Sequence, residues 1–448
     1  MTAIWTPLRL RLAAAAGASL ALWLFLLERQ WSYWMLDLFF FILALGLWLG
    51  RHRADCLLWS LGLMVSLSLR PLAGASSLLI LPALLYIAPW LERSLAQPPP
   101  PAAPLSWPRT GLIAAVFCLL ALQAARPARL MVAPEARRKI LEARSPAFPI
   151  QPPAGLSPLG AALRSHVLAL SEKIGERSAY QPQAQEKAKD YVVERLRAAS
   201  YAPEIFSYQG ISSGDSRRKE PYHNVLARLG PQDSSGGVWV VGAHYDSAPG
   251  TPGADDNASG VAVLLEAARM LKSAPPARGI LFVAFAAEEP PSFGKRDMGS
   301  ERCIRELLRT GVKVRGMINL EMLGYYNARP RSQLFPPFLS LFYPDRGDFL
   351  GLVTNISSAG LAASVRSAWR KGSSLPLETT LLPSVFSTLA LSDQLNFWSA
   401  GQRAVMLSDT SFFRYPHYHQ ATDTAEKLDY EKMAAVVEGL VAVLKAVQ

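Results

Sequence analysis

"VWVVGAHYDS", Val238–Ser247, decides how the chain is read. Six apolar or small residues run without a break and then give way to His244, Tyr245, Asp246 and Ser247. The first part reads as a strand, and the polar residues mark its carboxyl end. The same pattern recurs three times. The apolar run Ile280–Ala286 is followed by Glu288 and Glu289, Gly316–Leu320 by Glu321, and Ala404–Leu407 by "RYPHYHQATDT" with His417 and His419. Further strand-like runs lie at His223–Leu229 and Leu350–Thr354. Amphipathic helical patterns cover roughly Leu159–Ile174, Gln183–Ala199, Ser259–Leu271, Met298–Arg309, Leu361–Arg370 and Tyr430–Val447. Strands separated by helices predict a three-layer α/β/α sandwich around a mostly parallel, mixed sheet. Ligands of such sheets bind beyond the carboxyl ends of the strands, which is where these acids and histidines fall.

A further stretch, "PGADDNASG" at Pro252–Gly260, lies between the first two clusters. Two adjacent carboxylates and an amide sit there among very small residues. By itself this reads as a helix cap, with Asn257 or Ser259 capping and the acids favoured by the helix dipole. A lone histidine at a strand end is more often a hydrogen-bonded structural residue, and a Glu-Glu pair usually faces solvent. Four strand ends and one loop supplying carboxylates and imidazoles together point elsewhere. These are the oxygen and nitrogen donors zinc takes when thiolate is absent.

The 448 residues are too many for one compact core. Up to Leu130 the chain has ten arginines, no lysine and only four acids, so this segment carries +6 of the +11 net charge. It also holds five apolar runs: Leu12–Leu27, Tyr33–Gly50, Ala54–Leu69, Pro71–Trp90 and Gly111–Ala125. Residues 1–130 are therefore expected to form an all-α, multi-pass transmembrane domain of about five helices. Residue 131 to about 158, rich in proline, is expected to be a linker, and 159–448 the soluble domain. With the N-terminus inside, Arg9, Arg11, Arg51, Arg53, Arg93 and Arg109 lie in the cytoplasm and only Arg29 and Arg70 in the outer loops. The soluble domain is then extracytoplasmic, periplasmic if the source has an outer membrane. No Lys/Arg stripe interleaved with aromatics occurs, which excludes nucleic acid as a partner and leaves the bilayer as one. Three scattered cysteines form no disulfide framework, and nothing in the sequence states an oligomeric state.

The motifs "GAHYDS", "PGADDNASG", "FAAEEPPSFG", "INLEMLGY" and "PHYHQATDT", in this order and spacing, resemble the M28 family of zinc aminopeptidases. The resemblance runs from about Ser165 onward and excludes the apolar segment. It implies a co-catalytic pair of zinc ions. His244 and Glu321 would hold one, Glu289 and His419 the other, and Asp256 would bridge both. Glu321 is a methylene longer than the Asp most relatives carry there. Asp255 would support from behind, and Asp246 would orient His244 through its other ring nitrogen. Glu288 would act as general base, while Tyr418 could donate to the developing oxyanion. His417 reads as structural. The resemblance thus implies a membrane-tethered aminopeptidase acting on peptides with a free N-terminus. Two alternatives share the fold, a single-zinc glutaminyl cyclase and a catalytically silent, receptor-like ectodomain.

Overall fold

The computed structural model describes residues 134–145, 155–211, 219–230, 237–335, 340, 342–382 and 392–446. The five apolar runs and the six-against-two arginine pattern lie outside these residues. Among the described residues no helix is long and apolar enough to cross a membrane.

Glu135–Gln448 is one compact unit. In chain order it contains helix α1 (Pro134–Glu142), α2 (Pro158–Leu168), α3 (Pro182–Ala198), strands β1 (Glu204–Ile211), β2 (Lys219–Leu229) and β3 (Val238–His244). Then follow α4 (Gly260–Lys272), β4 (Gly279–Phe285), α5 (Gly299–Arg309), β5 (Val314–Glu321), β6 (Leu350–Asn355) and α6 (Ala359–Gly372). The unit closes with β7 (Leu377–Leu382), α7 (Gln394–Ser399), β8 (Ala404–Ser408) and α8 (Tyr430–Ala446). The strands form one sheet in the order β1-β2-β4-β3-β5-β8-β6-β7. Its centre, β4-β3-β5-β8, is parallel, β2 and β6 join it antiparallel, and β7 is parallel to β6.

Alternation along the central strands makes the three layers. Trp239, Val241 and Ala243 of β3, with Ile280, Phe282 and Ala284 of β4, face one core shared with α2, α3, α4, α6 and α8. Val240, Leu281, Val283 and Phe285 face the other way, against Cys303, Ile304 and Leu307 of α5 and Phe397 of α7. Each central strand is thus covered on both sides, which is why its sequence is almost continuously apolar.

Two departures from the sequence reading bear on the site. The stretch expected to be a linker, 131–158, contains helix α1, and the residues after it are tied to the domain. Asn327 donates through Nδ2 to the Arg144 carbonyl, Ser145 Oγ bonds the Tyr325 hydroxyl, and Arg144 donates to the Arg331 carbonyl. Strands β1 and β7 were not expected either. Among the described residues they are the sheet's two edges, paired on one side only.

Candidate metal centre

The parallel strands β4, β3, β5 and β8 all end at one edge of the sheet, and the side chains there converge. His244 is the last residue of β3 and Glu321 the last of β5. Glu288 and Glu289 follow β4, and His419 lies in the loop beyond β8. Asp256 comes from the turn Ala254–Ser259 that leads into α4, a turn in which Asp256 and Asn257 leave helical geometry.

Two donor sets result. His244, Asp256 and Glu321 offer one ligand atom each within 4.8 Å of one another, and so do Asp256, Glu289 and His419. Asp256 belongs to both: Oδ1 is 3.4 Å from His244 Nε2 and Oδ2 is 3.2 Å from His419 Nε2. Glu321 Oε2 is 3.4 Å from His244 Nε2, and Glu289 Oε1 is 3.3 Å from His419 Nε2. Glu288 is in neither set, with Oε2 4.0 Å from His244 Nε2.

The turn carrying Asp256 is fixed from three directions. Asn257 Nδ2 donates to the Leu320 carbonyl while its Oδ1 accepts from the amides of Gly260 and Met322. Asp255 accepts from the Gly324 amide and Ser259 from the Leu323 amide, so the turn is stitched to the end of β5. Asp423 accepts from the amides of both Asp255 and Asp256 and is held in turn by the Tyr415 hydroxyl. The small neighbours are required. A Cβ on Gly253 (φ +63°) would sit 2.4 Å from the Asp256 carbonyl oxygen, and one on Gly260 would sit 2.7 Å from that of Leu320.

Asp246 lies 3.4 Å from His244 Nδ1, and its two oxygens accept from the amides of Glu288 and Glu289. It therefore links the end of β3 to that of β4. Ser392 donates to Glu321 Oε2 at 2.6 Å, so the longer side chain at this position is held in place. Tyr418 stacks on His419, while His417 bonds Thr422 and joins neither donor set. Ala287, Met322 and His419 have positive φ, so three non-glycine residues at or beside the donors occupy the left-handed region.

Sequence reasoning missed Arg177. Its guanidinium is fully buried and donates to five carbonyls, those of Tyr245, Leu170, Gly175, Pro252 and Gly253. Burial lowers its pKa to about 10, opposed by Asp246 and Asp423, so it is charged at neutral pH. It pins the segments flanking His244 and Asp256 at once. Nothing in the local pattern "GERSAY" signals this, because the acceptors come from distant segments. Asp393 was missed as well; burial pushes it up to about 7.

The charges are crowded. Burial, against the pull of His244 and helped by Glu289 and Glu321, pushes Glu288 well above the carboxylate range. Burial and then Asp256 push Glu289 up to about 7. Burial opposes protonation of His419, but contacts to Asp256 and Glu289 raise it to about 10. For His244, burial is outweighed by the charges of Glu288 and Glu321, which hold it well above the histidine range. Burial disfavours ionised Asp256 too, yet both imidazoles hold it below the usual range. Buried atoms without a hydrogen-bond partner among the described residues include both ring nitrogens of His244, Asp256 Oδ1 and Glu289 Oε1. Orphaned donors of this kind, all nitrogen or carboxylate oxygen, fit zinc.

The model of peptidase family M28 matches residues 224–444. The chain is 41% identical over 270 residues to the uncharacterized protein YfbL of Escherichia coli (strain K12), spanning 58% of this chain and 82% of that one. The chain belongs to peptidase family M28. It is also 28% identical over 287 residues to a probable leucine aminopeptidase 1 of Trichophyton verrucosum, 60% of this chain and 68% of that protein. Among solved structures, BSAP, a zinc aminopeptidase from Bacillus subtilis, superposes with TM-score 0.50 at 18% identity, covering 63% of this chain and 94% of that one. A glutaminyl cyclase from Bacteroides thetaiotaomicron gives the same TM-score and identity over 64% and 98%. These two share the fold.

Proposed function

We propose that the chain is a di-zinc aminopeptidase that removes N-terminal residues from peptides. The observation that carries this reading is the shared Asp256, with Glu288 at 4.0 Å from His244 and in neither donor set. His244, Asp256 and Glu321 would hold one ion, and Asp256, Glu289 and His419 the other. When bound, two zinc ions would supply the charge that acidifies water and polarises the scissile carbonyl. Glu288 takes the proton from the attacking water and returns it to the leaving amine. Asp246 orients His244, and through two amides it fixes the chain at Glu288 and Glu289. The Tyr418 hydroxyl donates to the oxyanion that forms on the carbonyl.

The buried, two-set geometry favours the peptidase over a single-zinc glutaminyl cyclase and over a silent ectodomain. Metal analysis of the purified chain together with hydrolysis of aminoacyl anilides tests the reading. Two zinc ions per chain and turnover are expected. One ion with cyclisation of N-terminal glutamine would replace it by the cyclase, and neither activity would leave a silent fold. Membrane tethering through residues 1–130, with the domain outside the cytoplasm, belongs to the same proposal and rests on the apolar runs and the arginine bias.

A further inference from the structure

A cavity of about 100 Å³ opens beside Glu321 and Tyr418 and runs across β8, β6 and β7. That is several times the ~10–15 Å³ one water needs, and it gives room for an amino-acid side chain. Strand register lays out its floor. Glu321 pairs with Ser408, Ser408 with Gly351 and Gly351 with Glu378, so these four positions share one face in one row. Strands about 4.8 Å apart put Glu378 roughly 14 Å from Glu321, measured along the row. Between the two ends the lining is mainly apolar, with Val353 and Met406 below and Leu334, Phe335 and Phe412 around them.

The charge pattern is one-sided. Among the described residues lining the cavity, Glu321 and Glu378 are the only ionisable carboxylates, and no lysine, arginine or histidine accompanies them. Glu321 is engaged by Ser392 and faces His244. Glu378 is half-buried on edge strand β7 and takes part in no hydrogen bond or ion pair with the described residues. A carboxylate with no partner among the described residues, at the far end of an apolar slot, matches a ligand with an apolar stem and a cation at its tip.

We propose that this cavity receives the side chain of the substrate's first residue and that Glu378 selects lysine or arginine there. The inference rests on the peptidase reading above and adds to it the substrate class. The methylenes of a long basic side chain cover the apolar stretch, and its head group meets Glu378 as a charge-assisted hydrogen bond. An acidic side chain would enter a slot with a carboxylate at each end. A norleucyl side chain fills the same slot but leaves Glu378 as it was.

The test compares arginyl, norleucyl and glutamyl 4-nitroanilides on the zinc-loaded full chain and on Glu378→Gln. It is paired with calorimetric binding of free L-arginine and L-norleucine. The expected result is an arginyl-over-norleucyl ratio of kcat/KM that falls about 10- to 100-fold in the variant, the range for losing one charged hydrogen bond. L-arginine binding should weaken in parallel, and the glutamyl substrate should be the poorest on the wild-type chain. A ratio unchanged within twofold while both substrates turn over overturns the assignment of Glu378 and leaves the peptidase reading standing. If no anilide is hydrolysed, the peptidase reading fails and binding alone decides. L-arginine preferred by the wild type and not by Glu378→Gln keeps the site, whereas equal binding removes it.

Discussion

The Tyr418 ring stacks on the His419 imidazole, with centroids 3.8 Å apart and planes inclined by 19°. Phe412 packs on the other side of the array at 5.5 Å, and the Arg137 guanidinium of α1 lies 4.5 Å over Phe412. Tyr418 thus has a ring that braces a proposed ligand and a hydroxyl with a proposed role at the oxyanion, and the two can be separated. Tyr418→Phe keeps the stack, so metal content should be unchanged while kcat falls about 10²- to 10³-fold. Tyr418→Ala should also lose metal from the His419 position. A fall in kcat below about threefold in Tyr418→Phe would take the hydroxyl out of the mechanism.

Glu288 and Glu289 are neighbours with different expected roles. Glu288→Gln should keep both metals and lose about 10²- to 10⁴-fold in kcat, with KM little changed. Glu289→Gln removes a charged donor from the second set, so zinc content should fall and added zinc should partly restore turnover. Metal analysis of both variants beside their kinetics checks the contrast. The reverse pattern would exchange the two assignments.

Arg177 should matter to the site without touching substrate. Hydrogen bonds from a charged donor are worth about 1.5–3 kcal/mol each, and they do not add simply. Arg177→Met leaves five carbonyls, three buried and two part-buried, without their donor, and a loss of at least ~3 kcal/mol in urea unfolding is expected. Arg177→Lys keeps the charge but serves fewer acceptors. It should fold with an intermediate loss and bind zinc more weakly in chelator competition. Wild-type zinc affinity in that variant would confine Arg177 to stability.

The metal-free protein should lose stability as pH rises. Glu289 is raised from 4.5 to about 7 on folding and His419 from 6.5 to about 10. A group with a raised folded-state pKa favours folding fully below its unfolded value, and that contribution is lost as pH climbs through the folded one. Both groups act in the same direction between about pH 5 and 10. Zinc needs the deprotonated forms, so its own stabilisation grows with pH. Thermal melts with and without chelator should therefore diverge from pH 5 to pH 8. Parallel curves would contradict the assignment of these residues to a metal.

The docked helix α1 makes a prediction about boundaries. A fragment starting at Pro134 should be more stable than one starting at Leu159, because the second lacks the Arg137–Phe412 contact and the bonds to Arg144 and Ser145. A cation–π contact alone is worth about 0.5–2 kcal/mol, so the shorter fragment should melt at least ~2 °C lower. Equal melting points would return 134–145 to the status of a tether.

The central strands and the residues at their ends were legible because burial on both faces leaves an unbroken apolar run, and each run stops at a chemically distinct side chain. The edges were not. Glu204–Ile211 alternates only over Phe206–Gly210, with Tyr208 and Gly210 buried and Ser207 and Gln209 exposed, a span too short to stand out as a strand. Helix α1 sits among prolines that read as a tether, and its place is shown by the Arg137–Phe412 contact and by the bonds of Arg144 and Ser145 just after it. The five donors could be named from the order of motifs. Arg177, Asp423 and Ser392 could not, since each acts on partners from distant parts of the chain.

The sheet order has a consequence for how the centre is assembled. β3, with His244, lies between β4 and β5, while β8, which leads to His419, is the last strand of the sheet in sequence. Asp256 faces both histidines. During synthesis, the residues for the first set are all present once β5 has emerged, but the second must wait for β8 and the loop beyond it. The two donor sets therefore differ in when they can be completed, and a chain stalled before β8 carries the whole first set while Glu289 still lacks its histidine.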